Sequence, residues 1–219
     1  MNSLNEIKAK LKEATPITWL FTGDSITQGA LHTYGYRSFS EIFAEHVRWE
    51  MSRKMDIVIN SGISGNKTSD ILDTIDWRIL RFKPDVIFLM IGTNDCALGS
   101  AGCEIFEQNL YKLLEIVRSH GCFCVLNTPN AICLDGYSGS YSHLPEYVEI
   151  IRKVARSSDI MLIDHFEYWN QTKATKDELM SWLDDSIHPN VYGHRAIAKL
   201  IFQALGIEND KPTCRLFIS

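Results

Sequence analysis

Four short blocks of this 219-residue chain combine small residues with side chains able to move protons or attack a carbonyl. The first, Gly23-Asp24-Ser25-Ile26-Thr27-Gln28-Gly29, is a glycine-bounded turn that presents Ser25. Its hydroxyl has three roles open to it: capping a helix by satisfying free N–H groups, acting as a nucleophile, or joining a turn that cradles a phosphate. The second and third, Asn60-Ser61-Gly62-Ile63-Ser64-Gly65-Asn66 and Gly92-Thr93-Asn94-Asp95, are glycine-rich and polar. Each alone reads as a tight turn. Together they offer an unshielded N–H at Gly65 and a side-chain amide at Asn94, the kind of fixed donors that charge developing on a carbonyl oxygen requires. The fourth block, Asp184-Asp185-Ser186-Ile187-His188-Pro189-Asn190, sets an aspartate three residues before a histidine. A histidine acting as a base needs an acceptor on one ring nitrogen so that the other is free, and one loop would carry both groups. The same residues also read as the entry to a helix begun at Pro189 or Asn190, with acidic side chains at its positive end.

These blocks need a frame that holds them together, and the apolar pattern supplies one. Short runs rich in β-branched and aromatic residues recur at Thr18–Thr22, Asp56–Asn60, Asp85–Ile91, Cys122–Asn127 and Ile160–Ile163. They are apolar almost throughout, as strands buried on both faces of a parallel sheet are. Helical spacing lies between them, at Ser38–Met51, Thr68–Arg81, Cys103–His120, His143–Ser157 and Val191–Leu205. In the third of these, Ile105, Leu110, Leu113, Leu114 and Val117 form one stripe. Alternation of strand and helix predicts an open, doubly wound α/β sheet with functional groups at the carboxyl ends of its strands. Three of the blocks directly follow predicted strands. No repeat or linker divides the chain, so one domain over residues 1–219 is expected.

The four blocks, in this order, resemble those of the SGNH (GDSL-type) hydrolases: GDSITQG at 23–29, NSGISGN at 60–66, GTND at 92–95 and DSIHPN at 185–190. Ile26 stands where the namesake pattern has leucine. The resemblance implies a three-layer α/β/α fold around a five-stranded parallel, flavodoxin-like sheet. It also implies a serine esterase with Ser25 as nucleophile, His188 as base and Asp185 as its partner. The oxyanion hole would consist of the Ser25 N–H, the Gly65 N–H and the Asn94 amide. Asp185 is preferred to Asp184 on the DxxH spacing alone. No cofactor is implied. Within the family the NSGISGN block looks most like carbohydrate O-acetylesterases acting on small-molecule O-acetyl esters. Two other readings stand beside this one: a lysophospholipase or acyl-thioesterase using the same residues, and a non-catalytic flavodoxin-like module whose first turn holds phosphate or flavin.

Composition narrows the classes further. With 22 Lys+Arg against 27 Asp+Glu, a net charge of −5 and scattered basic residues, the chain has no footprint for a nucleic-acid backbone. At 45% hydrophobic residues it can build a core without disulfides or a structural metal. No signal or membrane-spanning segment is read at the N-terminus, so a cytoplasmic protein with no stable membrane association is expected, its cysteines (Cys96, Cys103, Cys122, Cys124, Cys133 and Cys214) remaining thiols. The 7 histidines are dispersed, without HExxH or paired CxxC, so no metal set is expected. His32, Tyr34, Tyr36 and Arg37 are candidates to line a pocket or to form a polar connector. Tyr137, Tyr141 and Trp182 are candidates to stack on a sugar ring or simply to pack, and His194 is expected to be structural.

Overall fold

The computed structural model describes residues 3–134 and 141–208, so Tyr137, Cys214 and the tail 210–219 lie outside the described residues. The five apolar runs are strands: β1 (Thr18–Gly23), β2 (Ile57–Asn60), β3 (Val86–Met90), β4 (Phe123–Asn127) and β5 (Met161–Ile163). All four strand pairs are parallel, and the order is β2-β1-β3-β4-β5. After β2 the chain crosses to the other side of β1, which places a crevice at the carboxyl ends of β1 and β3, the usual binding position in such sheets.

The period-2 alternation of each strand divides its side chains between two layers. Trp19, Phe21, Val86, Phe88, Met90 and Val125 meet α1 (Ser3–Lys12), α3 (Phe39–Glu45, continued by a π-type turn at His46–Glu50) and α10 (Val191–Leu205). Leu20, Ile87, Leu89, Cys124 and Leu126 meet α4 (Thr68–Asp73), α5 (Ile75–Arg78), α6 (Cys103–Ser119) and α7 (Leu144–Ser157). The first layer is aromatic: Phe21 and Phe88 stack at 4.6 Å, with Phe43 edge-on to both. The result is the three-layer α/β/α arrangement. Short helices α2 (Ser25–Gln28), α8 (His165–Thr172) and α9 (Lys176–Met180) complete it. Among the described residues no helix is long and apolar enough to cross a membrane, and Cys96, Cys103, Cys122, Cys124 and Cys133 form no disulfide with one another.

The structure corrects three readings of the sequence. Strand β2 lies at the sheet edge with Ile57 half exposed, rather than buried on both faces. The stripe of α6 runs through Phe106, and Ile105 points outward at 50% exposure. The helix expected over Thr68–Arg81 is broken into α4, α5 and a 3-10 turn at Leu80–Phe82. At the first break the Thr74 hydroxyl donates to the Asp70 carbonyl at 2.6 Å, a side-chain bond that competes with the helical ladder, and Thr74 takes φ −119°.

Candidate active site

Ser25 is carried by the turn that leaves β1. Asp24 caps α2, its Oδ1 accepting the Ile26 N–H at 3.0 Å, which makes Ser25 the first helical residue. The turn can sit this low on the sheet because residue 23 is glycine: a Cβ there would lie 2.0 Å from the Met90 carbonyl oxygen of β3. Asp24 is 1% exposed, and burial pushes its carboxyl up to about 7, with the nearby Asp95 adding to the shift.

The loop before α10 brings the histidine to this serine. Leu183 and Pro189 pair across the loop, and Asn190 caps α10 by accepting the N–H groups of Tyr192 and Gly193. Within the loop Asp185 does two jobs. Its Oδ1 accepts the N–H groups of Ile187 and His188, both at 2.7 Å, and its Oδ2 lies 2.8 Å from His188 Nδ1. Partial burial pushes the Asp185 carboxyl up, but these bonds outweigh it and hold it below the ordinary carboxylate range. A carboxylate only accepts, so Nδ1 keeps its proton and donates it in a hydrogen bond to Asp185, which leaves Nε2 as an acceptor. Ser25 Oγ lies 2.9 Å from that Nε2, placed to donate its proton. Of the two adjacent aspartates, Asp185 is thus the one on His188, while Asp184 Oδ2 lies 2.9 Å from Nδ1 of His32.

The expected donor residues lie on two loops that a hydrogen bond joins. Gly65 has φ +79°, a left-handed conformation that glycine adopts at little cost, and nothing lies within 4 Å of where its Cβ would be. Asn94 Nδ2 donates to the Asn66 carbonyl at 3.1 Å, which fixes the amide plane and leaves its second hydrogen for another acceptor. Arg78 binds the first two blocks to one another. Although 1% exposed, it donates to Asn66 Oδ1 at 2.6 Å, to the Ser61 carbonyl at 2.6 Å and to the Gly23 carbonyl at 3.0 Å. Burial lowers the pKa of the guanidinium, while Asp70 and Asp24 oppose the shift. Sequence reasoning missed Arg78, because within an apparently continuous amphipathic helix it reads as a surface residue.

Other candidates fall elsewhere. Trp182 packs against Tyr168 and Trp169 with Lys173 over its ring, and Tyr141 packs against the core around α6 and α7. Neither is a free face for a sugar. Tyr34 and Tyr36 are exposed at 74% and 61%. Arg37 pairs with Glu45 on α3. His194 is structural, as expected: it is buried, accepts the Phe39 N–H through Nδ1, and is pushed down to about 3 by burial, the positive fields of His32 and His188 adding to the effect. His32, Asp185 and His188 are close enough to suggest a metal site. However, a metal lies in the plane of each imidazole that binds it, and the parallel, stacked rings of His32 and His188 aim their lone pairs along separate planes.

With this geometry in hand, comparison with known proteins is direct. Residues 21–196 match the model of the GDSL-like lipase/acylhydrolase family. An uncharacterised protein of Mycoplasma pneumoniae is 36% identical over 113 residues, which cover 50% of this chain but only 13% of that protein. An acetylxylan esterase of Geobacillus stearothermophilus is 24% identical over 207 residues, 86% of this chain and 94% of the enzyme. A solved catalytic mutant of an acetylxylan esterase from that organism, with a histidine replaced by alanine, has the same fold. It gives a TM-score of 0.74 at 20% identity, over 91% of this chain and 100% of that one. By its family match the chain belongs to the GDSL-like lipase/acylhydrolase family, a family of carboxylic ester hydrolases.

Proposed function

We propose that this chain, working as one domain, hydrolyses small O-acyl esters, O-acetyl esters of carbohydrates in particular, by acyl transfer to Ser25. The observation that carries the reading is the hydrogen-bonded line from Ser25 Oγ through His188 to Asp185, at 2.9 and 2.8 Å. Ser25 attacks the ester carbonyl as His188 Nε2 takes its proton, and Asp185 stabilises the imidazolium that forms. The Ser25 N–H, the Gly65 N–H and the free Asn94 amide hydrogen hold the oxyanion. His188 then protonates the leaving alcohol, and water admitted to the same base releases the acid. Asp185 and His188 have the three-residue spacing of the aspartate and histidine replaced in catalytic mutants of the Geobacillus esterase. No cofactor is needed for these steps, and membership of a hydrolase family sets aside the flavin-binding alternative.

The acetyl-sugar reading draws on the relatives acting on acetylated xylan and on the exposed Tyr34. A hydrogen bond to Asp184 raises the Tyr34 pKa and holds its phenol beside the loop that carries His188. A tyrosine so placed stacks readily on a sugar ring. The test is an ester panel together with site variants. Ser25→Ala and His188→Ala should each lower turnover by several orders of magnitude in a folded protein, and a fluorophosphonate should label Ser25. Retained activity, or a label on another residue, would overturn the nucleophile. A groove for long acyl chains would raise kcat/KM about fourfold per methylene, from roughly 0.8 kcal/mol each. A fall from acetyl to octanoyl is expected instead. A rising series, or lysophospholipid turned over faster than acetylated xylo-oligosaccharide, would select the lysophospholipase alternative.

A further inference from the structure

A second histidine lies flat against the proposed base. The rings of His32 and His188 stack with centroids 3.8 Å apart and planes 6° from parallel. His32 Nδ1 is 2.9 Å from Asp184 Oδ2 and 4.0 Å from Asp185 Oδ2. Two adjacent aspartates therefore hold two stacked imidazoles, one each. Asp184 is itself fixed, because its N–H donates to the His188 carbonyl at 2.8 Å. The loop that delivers His32 runs through two non-glycine residues in the left-handed region, Leu31 at φ 59° and Tyr34 at φ 49°. Such conformations cost free energy and persist only where the surroundings impose them.

We propose that His32, held by Asp184, is a positioning residue for His188, an inference that rests on His188 being the base. Its first effect is steric: with one face covered, the His188 ring cannot tilt away from Ser25 when substrate enters. Its second effect is to tie the two segments together: Asp184 accepts from His32 Nδ1 and its own N–H donates to the His188 carbonyl, so the His32 segment and the loop that carries His188 hold each other in place.

The test is kcat and KM for a soluble acetyl ester with the wild type, His32→Phe and His32→Ala, alongside Ser25→Ala and His188→Ala. His32→Ala should lower kcat by about 10- to 100-fold with little change in KM, the size of effect that small misplacement of a reacting group produces. His32→Phe keeps a flat ring over His188 and should recover most of that loss. Should the Ala variant fail to fold, His32→Gln, which keeps a partner for Asp184 but removes the ring, takes its place. Unchanged kcat in the variant without a ring, or a loss in His32→Phe as large as in that variant, would overturn the proposal. High activity in Ser25→Ala or His188→Ala would show instead that the reading of the site itself is wrong, a failure visible without any His32 variant.

Discussion

Replacing Arg78 with methionine removes the tie between the first two blocks while keeping a side chain of similar length. Three bonds from a charged donor, at about 1.5 to 3 kcal/mol each, give a gross loss of about 4 to 9 kcal/mol. The substitution also relieves the desolvation of a guanidinium that is 1% exposed, which returns several kcal/mol, and the net cost is about 3 kcal/mol. A domain with about 5 to 15 kcal/mol of stability stays folded after such a loss. With a urea m-value of about 3 kcal/mol/M, the midpoint should fall by roughly 1 M with little change in slope. The same change loosens Asn66, whose carbonyl accepts the bond that orients the Asn94 amide. Below the melting range kcat should therefore fall at least about tenfold if Asn94 holds the oxyanion as proposed, since its amide is no longer fixed. The assay is urea unfolding followed by circular dichroism, paired with acetyl-ester kinetics on the same preparation. A midpoint shift below about 0.3 M would show that the network contributes little net stability. Unchanged kcat would break the link from Arg78 through Asn66 to Asn94.

Two further outcomes follow from neighbouring groups. Asn94→Ala should cost about 10²- to 10³-fold in kcat with a smaller change in KM, because its amide is expected to bind the oxyanion better than the ground-state carbonyl; a pure KM effect would assign Asn94 to substrate binding. Asp24→Asn should become more stable relative to wild type as pH rises. The Asp24 carboxyl is raised from 3.8 to about 7 in the folded protein, so between those values the native state holds a proton that the unfolded chain has lost, and wild-type stability declines across that window. Melting temperatures of both proteins at pH 5 and pH 8 test this, and a difference that shrinks with rising pH would refute it.

What could be read from the sequence depended on how local the cause was. The strands around Trp19, Phe88 and Val125 declared themselves because burial on both faces demands unbroken apolar runs. Strand β2 has the same kind of sequence, IVIN, yet lies at an edge, and nothing local to those residues encodes which strand comes last in the sheet. The break at Thr74 depends on a hydroxyl bond that propensity does not register. Helices α1 and α8 were not foreseen: the first is weakly apolar, and the HFEYW run that opens the second reads as packing aromatics. The Asp185–His188 contact was legible because it spans three residues. The pairing of His32 with Asp184 spans 152 and had no signal in either segment alone. Arg78 was hidden for a similar reason, since its three acceptors come from distant turns that meet only in the fold.

The 2.0 Å approach of a virtual Cβ at Gly23 to the Met90 carbonyl bears on how sequence patterns of this kind detect proteins. Glycine is demanded there by the neighbouring strand, whatever reaction takes place above it. A chain that had exchanged Ser25 for another residue and become a non-enzymatic carbohydrate binder would still need that glycine, and a pattern anchored on it would still match. Backbone path and catalysis thus leave separate marks within the same seven residues. A survey for inactive descendants should retain the glycine as its anchor and ask only what stands two places after it.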